Sequence, residues 1–196
     1  YFSNTELAAS GEPQGREAAL LECYRGRVPE GVFETAYAPP TTEGGSLRGN
    51  LRTASRMLTA AGWTVQDGKR INAASGEAMV IEFLLVAPAF ERIVGPAVKN
   101  MERLGIEASI RIVDPAQYQN RIEDFDYDVI VGSRGQSLSP GNEQRNYWTT
   151  ASADIRGSGN LAGVRDAVVD ELVDLVIQAP DREGLIAATR ALDRVL

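Results

Sequence analysis

The residues best equipped for binding chemistry lie in one short stretch, residues 133–148. Its hydroxyl and amide side chains can donate and accept hydrogen bonds without carrying charge. An arginine adds a guanidinium that can clamp a carboxylate or a carbonyl, and an aromatic pair suited to stacking on a ligand closes the stretch. The candidate ligand-binding residues here are Ser133, Arg134, Gly135, Gln136, Ser137, Ser139, Asn142, Tyr147 and Trp148.

The composition argues against the common catalytic side-chain sets. No histidine is present, which excludes Ser-His-Asp and Cys-His machinery within this chain. Cys23 is the single cysteine, so neither an internal disulfide nor a cysteine-rich metal site can form. The run Gly132-Ser133-Arg134-Gly135 fits neither the Gly-x-Ser-x-Gly nucleophile motif nor a phosphate-binding loop. We therefore expect no catalytic residue and no cofactor.

Three alternating acids just before this stretch resemble a metal site at first reading: Asp124, Asp126 and Asp128. A calcium loop of the EF-hand type counted from Asp124 needs Gly at its sixth position and Glu at its twelfth. Those positions hold Val129 and Gly135. We therefore interpret the acids as solvent-facing residues at the entry to a strand, and we expect no metal site.

Glu143 is the one acid inside the stretch, and it leaves an enzymatic alternative open. A hydrolase acting on glycosides needs two carboxyl groups across a cleft, and the second would have to come from outside this chain. The simpler interpretation is that Glu143 complements the dipole at the start of a helix.

Alternating strands and helices are predicted to hold this stretch in place. Apolar, β-branched runs indicate strands, and helical spacing after Pro or Asp indicates the helices between them. The predicted strands are 80–86, 106–113 and 127–131, and the helices between them are 88–104 and 114–123. This order is typical of an α/β fold with a mostly parallel sheet flanked by helices.

Such sheets bind ligands outside the carboxyl ends of their strands. Residues 133–148 follow the third predicted strand, so they lie at that edge. Phe90 and Arg92 follow the first strand at the same edge and join the candidate ligand-binding residues.

The regions on either side of the sheet are predicted to differ in regularity. Residues 1–46 are rich in Pro, Gly and Thr, apart from a short helix at 17–24, and are predicted to form an irregular arm packed on the α/β ligand-binding lobe of residues 47–196. The other predicted elements are a helix from Ser46 or Asn50 to Ala61, a hairpin turning at Asp67-Gly68, and three helices capped by Asn142, Asp166 and Asp181.

The bulk properties limit the partners. The net charge of -7 and the pI near 4.8 make nucleic acid a poor partner, because phosphates repel an acidic surface. No apolar run approaches the roughly 18–20 residues that span a bilayer. The chain starts with neither a signal peptide nor a methionine, so we expect a piece of a longer protein.

Several motifs together resemble family 5 of the bacterial extracellular solute-binding proteins, which serve oligopeptide, dipeptide and nickel ABC importers. The opening Tyr1-Phe-Ser-Asn-Thr-Glu-Leu-Ala and the Ser-Pro-Gly-Asn-Glu-Gln run at 139–144 resemble its branch for microcin C-like peptides and oligopeptides. The other motifs are Asn50-Leu-Arg with Ala-Gly-Trp63, Ala89-Phe-Glu-Arg92, Asp114-Pro-Ala-Gln-Tyr-Gln-Asn-Arg and Phe125-Asp-Tyr-Asp-Val-Ile-Val-Gly.

The resemblance implies a periplasmic binding protein of type II, whose two lobes close on a ligand, with this chain as most of the C-terminal lobe. It implies an exported protein that holds an oligopeptide or peptide-like compound against its own N-terminal lobe and delivers it to an ABC permease in the inner membrane. In peptide-binding relatives, an Asp in the loop after this strand pairs with the ligand's amino terminus. The matching residues 134–139 contain no acid, which favours a blocked or differently anchored peptide.

Two other functions stay open at this point. One is the hydrolase that would use Glu143. The other is a non-catalytic interaction domain, whose partner would dock on the helices of residues 165–196 rather than on residues 132–148.

Overall fold

The computed structural model describes residues 1–42 and 45–196. In chain order the helices are α1 (Gly15–Glu22), α2 (Leu47–Ala60), α3 (Glu91–Glu102), α4 (Pro115–Glu123), α5 (Glu143–Trp148), α6 (Ala167–Ile177) and α7 (Arg182–Val195), with short 3-10 turns at Glu30–Phe33, Pro88–Phe90 and Thr150–Ser152. The strands are β1 (Trp63–Gln66), β2 (Lys69–Asn72), β3 (Val80–Leu85), β4 (Glu107–Ile112) and β5 (Val129–Ile130).

The described chain divides into two compact units. The helical unit joins residues 1–38 to residues 134–196, and the sheet unit comprises residues 39–133. The division therefore does not fall between an arm of residues 1–46 and a lobe of residues 47–196, as the composition suggested. Glu43 and Gly44, which belong to the predicted arm, lie outside the described residues.

The sheet unit contains the predicted parallel sheet. Its three strands lie in the order β4-β3-β5, and both neighbours run parallel to β3. Phe83 in β3 stands opposite Ile110 and Val129, and it packs with Leu85 and Val94 into a core beneath the sheet. The predicted hairpin is also present, as β1 and β2 joined antiparallel through Asp67-Gly68.

β5 is shorter than the predicted strand 127–131. The chain leaves α4 through a tight turn in which Phe125 has a positive φ of 55° and Tyr127 donates its backbone N–H to the Phe125 carbonyl. Asp128 then accepts the backbone N–H of Glu82 with its side chain, at 2.9 Å. The turn and this side-chain bond occupy residues that the apolar pattern assigned to the strand.

Most predicted helix starts are confirmed at the level of the cap. Asp114, Asp166 and Asp181 each accept backbone N–H groups from the first turn of α4, α6 and α7, and Ser46 does the same for α2. The cap predicted at Asn142 is wrong. That residue already has helical dihedrals, φ -61° and ψ -23°, and its side chain caps nothing.

The helical unit is held together by an apolar core between α1, α6 and α7. Leu21, Leu172, Val173 and Leu192 are fully buried there. The arm contributes Val28 and Val32 to this core, as expected from their apolar character, whereas Tyr37 stays exposed. None of the helices in the described ranges is long and apolar enough to cross a membrane.

Candidate functional site

Arg134 lies against the aromatic pair that ends α5. Its Cζ is 4.8 Å from the ring centroid of Tyr147 and 4.6 Å from that of Trp148, which is cation–π geometry. Its Nη2 donates to the carbonyl of Gly159. Gly159 is required at this point, because an added Cβ would lie 2.4 Å from Cδ1 of Tyr147. The guanidinium is therefore fixed within the helical unit by two rings and one carbonyl.

A chain of side-chain hydrogen bonds connects the core to the loop before α5. The indole Nε1 of Trp148 donates to Oε1 of Gln144 at 2.9 Å. Gln144 in turn donates from Nε2 to Oε1 of Gln136, also at 2.9 Å. Trp148 is 3% exposed and Gln144 is completely buried, whereas Gln136 is half-buried. The side-chain amides of Gln144 and Gln136 therefore connect the buried indole of Trp148 to the surface of the loop.

Glu143 is part of this arrangement. Its Oε1 accepts the backbone N–H of Gly141 at 2.9 Å, Nε2 of Gln144 at 3.1 Å and Nε2 of Gln136 at 3.4 Å. Burial raises the pKa of Glu143, but the bonds from Gly141, Gln144 and Gln136 outweigh burial and hold the pKa below its ordinary value. The carboxyl group is therefore ionised at neutral pH and is unsuited to act as a general acid.

Two contacts fix the middle of the loop, residues 137–139. Ser137 accepts the backbone N–H of Ser139 with its hydroxyl at 3.2 Å. Arg182, the first residue of α7, donates to the carbonyl of Leu138 and forms an ion pair with Glu6. Gly135, Ser137, Ser139 and Asn142 are nevertheless exposed residues of this loop.

The structure brings some of the predicted residues together and leaves others apart. Arg134, Gln136, Tyr147 and Trp148 belong to one connected cluster in the helical unit. Trp148 is a core residue whose ring also contacts Tyr1, with the centroids 4.4 Å apart, so stacking of a ligand on this indole stays a prediction.

Three other predicted residues belong to the sheet unit. Phe90 is half-buried beside the core under the sheet, and Arg92 and Ser133 are exposed. Their role as ligand contacts stays a prediction.

Sequence reasoning missed Gln144, Gly159 and Asn160. The spacing of Gln144, four residues before Trp148 on a helix, was the available signal for their contact. Asn160 is buried and spans its own loop, donating to the carbonyls of Thr149 at 3.1 Å and Val164 at 2.9 Å. Nothing in the Ser/Gly-rich run around it indicated that role.

The alternating acids before the loop have protein partners. Asp126 pairs with Arg121 at 2.8 Å, and Asp128 accepts the backbone N–H of Glu82. Across residues 1–42 and 45–196 there is no group of three or more Cys, Asp or Glu side chains placed to hold a metal ion.

Several bacterial relatives match the whole chain, including these two. One is an uncharacterized protein, y4wM, of Sinorhizobium fredii, at 48% identity over 199 residues. The other is the probable peptide-binding protein YejA of Agrobacterium fabrum, at 44% identity over 197 residues. The chain covers 30% and 32% of their lengths, so it spans about a third of these curated relatives.

Solved structures with low sequence identity share the fold. The oligopeptide-binding protein AppA of Bacillus subtilis, in complex with a nonapeptide, matches 93% of this chain with 37% of its own, at a TM-score of 0.65 and 17% identity. NikZ of Campylobacter jejuni, in complex with Ni(L-His), matches 94% of this chain with 37% of its own, at a TM-score of 0.64 and 12% identity. The type II periplasmic-binding-protein fold predicted from the sequence is confirmed.

The family match covers most of the chain. Residues 25–155 match the family described as "Bacterial extracellular solute-binding proteins, family 5 Middle". Its members are extracellular solute-binding proteins and not enzymes. On this match, and on the relatives and folds that agree with it, the chain belongs to family 5 of the bacterial extracellular solute-binding proteins.

Proposed function

We propose that this chain forms part of a periplasmic protein that captures an oligopeptide or peptide-like compound and delivers it to an ABC permease in the inner membrane. The observation that carries the proposal is the largely exposed, uncharged loop of residues 135–142, attached to a fixed arginine and aromatic cluster. Family membership and the peptide-binding name of the Agrobacterium relative support it.

The chemistry of the loop suits a peptide backbone. A receptor that accepts many sequences must bind main-chain groups, which are neutral donors and acceptors. The loop offers backbone groups at Gly135 and hydroxyls and amides at Ser137, Ser139, Asn142 and Gln136. Arg134 adds one positive charge beside them. Such contacts fix a ligand's position without reading its side chains.

The whole protein would hold its ligand between this part and its own N-terminal lobe. A peptide enclosed from both sides loses most of its contact with water, which strengthens each hydrogen bond to it. No step of this cycle needs a catalytic residue or a cofactor.

The proposal is tested by removing single loop side chains from the intact protein. Arg134→Ala and Gln136→Ala should each weaken the binding of a nonapeptide by about 1–3 kcal/mol, because each removes a hydrogen-bonding or charged group from the site. Isothermal calorimetry measures the change. Arg165→Ala is the control, since its exposed pair with Asp154 lies elsewhere in the unit. Unchanged affinity in both loop variants would contradict this site.

The two alternatives have less support. The hydrolase requires an acid at Glu143 that can donate a proton, and the pKa of that residue is lowered. The interaction domain would dock its partner on the last helices through apolar or polar contacts. The apolar sides of α6 and α7 are largely buried in the core, which leaves mainly polar surface for such docking.

A further inference from the structure

We propose that Gln144 is a positioning residue: it orients the side-chain amide of Gln136 so that its NH2 group faces the ligand. This point of the loop then takes a hydrogen-bond acceptor, such as a carbonyl or a carboxylate. The assignment of a ligand to this point rests on the proposed function. The orientation itself follows from contacts within the helical unit.

The first step is set by the indole of Trp148. An indole N–H can donate but cannot accept. The atom of Gln144 that faces it at 2.9 Å must therefore be the amide oxygen. Because both residues are buried, water does not compete for either group.

In the second step, the orientation of the Gln144 amide determines which of its atoms faces Gln136 in the loop. With its oxygen turned toward the indole, Gln144 presents its NH2 group on the other side. One N–H goes to Oε1 of Gln136 at 2.9 Å and the other to Oε1 of Glu143 at 3.1 Å. Every donor of this buried amide is used, so a flipped orientation would lose three hydrogen bonds at once.

The third step fixes Gln136. Its oxygen is held by Gln144, so its NH2 group points the other way, 3.4 Å from Oε1 of Glu143 and 3.5 Å from the carbonyl of Ser137. Glu143 agrees with this direction, because an ionised carboxylate only accepts hydrogen bonds. Both bonds from the Gln136 NH2 group are long and weak. A ligand oxygen can therefore replace them at little cost.

The consequence is a polarity for this part of the site. An NH2 group attracts carbonyl or carboxylate oxygens, and it offers nothing to an ammonium group. The acceptor assignment agrees with the absence of an acid from residues 134–139. In the opposite arrangement, a ligand ammonium pairs with Glu143. The binding test must distinguish that arrangement from an acceptor bound at Gln136.

The orientation is tested without a ligand, by NMR of isotope-labelled glutamine side chains in the intact protein. In the wild type, the amide protons of Gln144 should exchange slowly with solvent. Gln144→Met should accelerate exchange at Gln136 and shift its amide signals, because Gln136 loses its fixed partner. Trp148→Phe is a second route to the same result, since it removes the donor that starts the series.

The matched control is Gln178→Met, the same substitution at an exposed residue after α6. Circular dichroism verifies that each variant folds. The proposal is overturned if the signals and exchange of Gln136 stay the same in both Gln144→Met and Trp148→Phe.

The ligand polarity is tested by calorimetry with trialanine. Gln144→Met should weaken binding about threefold to tenfold, the effect of one hydrogen bond, and should add nothing when Gln136 is already Met. If Gln144 acted only in folding, Gln144→Met would weaken trialanine binding equally in the protein with Gln136 and in the Gln136→Met variant. If N-acetylation of trialanine and Glu143→Gln both abolish binding, the loop takes an ammonium and the acceptor assignment fails. If the wild type binds no peptide at all, the proposed function fails, and the NMR experiment still decides the orientation.

Discussion

At the scale of single residues, Arg194 forms a buried ion pair that joins the N-terminal arm to the last helix. Its side chain is 1% exposed and pairs with Glu17, which is 6% exposed. The same guanidinium donates to the carbonyls of Ser10 at 3.2 Å, Gly11 at 2.9 Å and Glu34 at 3.0 Å. Such a pair contributes little compared with apolar packing, but removing one partner leaves the other charge buried.

We therefore expect Arg194→Met to lower the free energy of unfolding by about 3–5 kcal/mol, because Glu17 loses its counter-ion inside the core. Arg165→Ala removes an exposed pair with Asp154 and should cost less than about 1 kcal/mol. Urea unfolding of the chain gives both values. Equal effects of the two substitutions would show that the buried pair has no special role.

The sequence identified the polar residues of the loop but not how they are connected. Arg134, Gln136 and Tyr147 stood out by their types, since an arginine, amides and aromatics in one stretch suggest binding. Gln144 did not stand out, because its role depends on facing an indole on one side and an amide on the other. Which side chains contact Gln144 depends on the folded chain. Only the i, i+4 spacing of Gln144 and Trp148 indicated one of these contacts.

At the scale of elements, the loop that contains Gly159 packs against the cluster of Arg134 and Tyr147. The Gly159 carbonyl accepts a hydrogen bond from Arg134, and the absence of a side chain at Gly159 leaves room for the ring of Tyr147. A backbone segment can approach a ring this closely only without a Cβ. The aromatic cluster and this loop are therefore one packing unit.

Gly159→Ala should displace the Tyr147 ring, since the new methyl would start 2.4 Å from Cδ1. Overpacking of this kind typically costs about 1–3 kcal/mol of stability, and the shift should also weaken peptide binding by the intact protein. Gly31→Ala is the control, because nothing lies within 4 Å of its added Cβ. Thermal unfolding and calorimetry on the same samples measure both effects. A Gly159→Ala protein indistinguishable from the Gly31→Ala protein would refute the packing argument.

Helix starts were predictable because a cap is a local interaction. A side chain such as Asp166 bonds N–H groups two and three residues later, so sequence alone contains the information. Asn142 failed as a cap because the N–H groups that its side chain would accept, those of Gln144 and Arg145, donate to the carbonyls of Gly141 and Asn142 at 3.0 and 3.2 Å, and the backbone turns into α5 one residue earlier. β5 was overestimated because the turn at Phe125 and the side chain of Asp128 use the residues before it.

At the scale of the whole molecule, the grouping of the two ends was not visible in the sequence. Residues 1–38 and 134–196 form one unit, although a full unit of sheet lies between them along the chain. Composition marked the first residues as an irregular arm, and it could not indicate that α1 would pack on α7. Contacts at such sequence separation depend on the closure of a long loop, whose cost rises only slowly with length.

The last prediction concerns this chain by itself. It spans about a third of its curated relatives, and a site that encloses a peptide buries most of the ligand's surface. If the rest of the intact protein supplies half of that enclosure, the chain alone loses several hydrogen bonds of about 1 kcal/mol each. Its affinity for a nonapeptide should then be more than about a hundredfold weaker than that of the intact protein. Calorimetry on both proteins measures this difference, with circular dichroism to verify that the chain is folded. Equal affinities would mean that the ligand site is complete within these 196 residues.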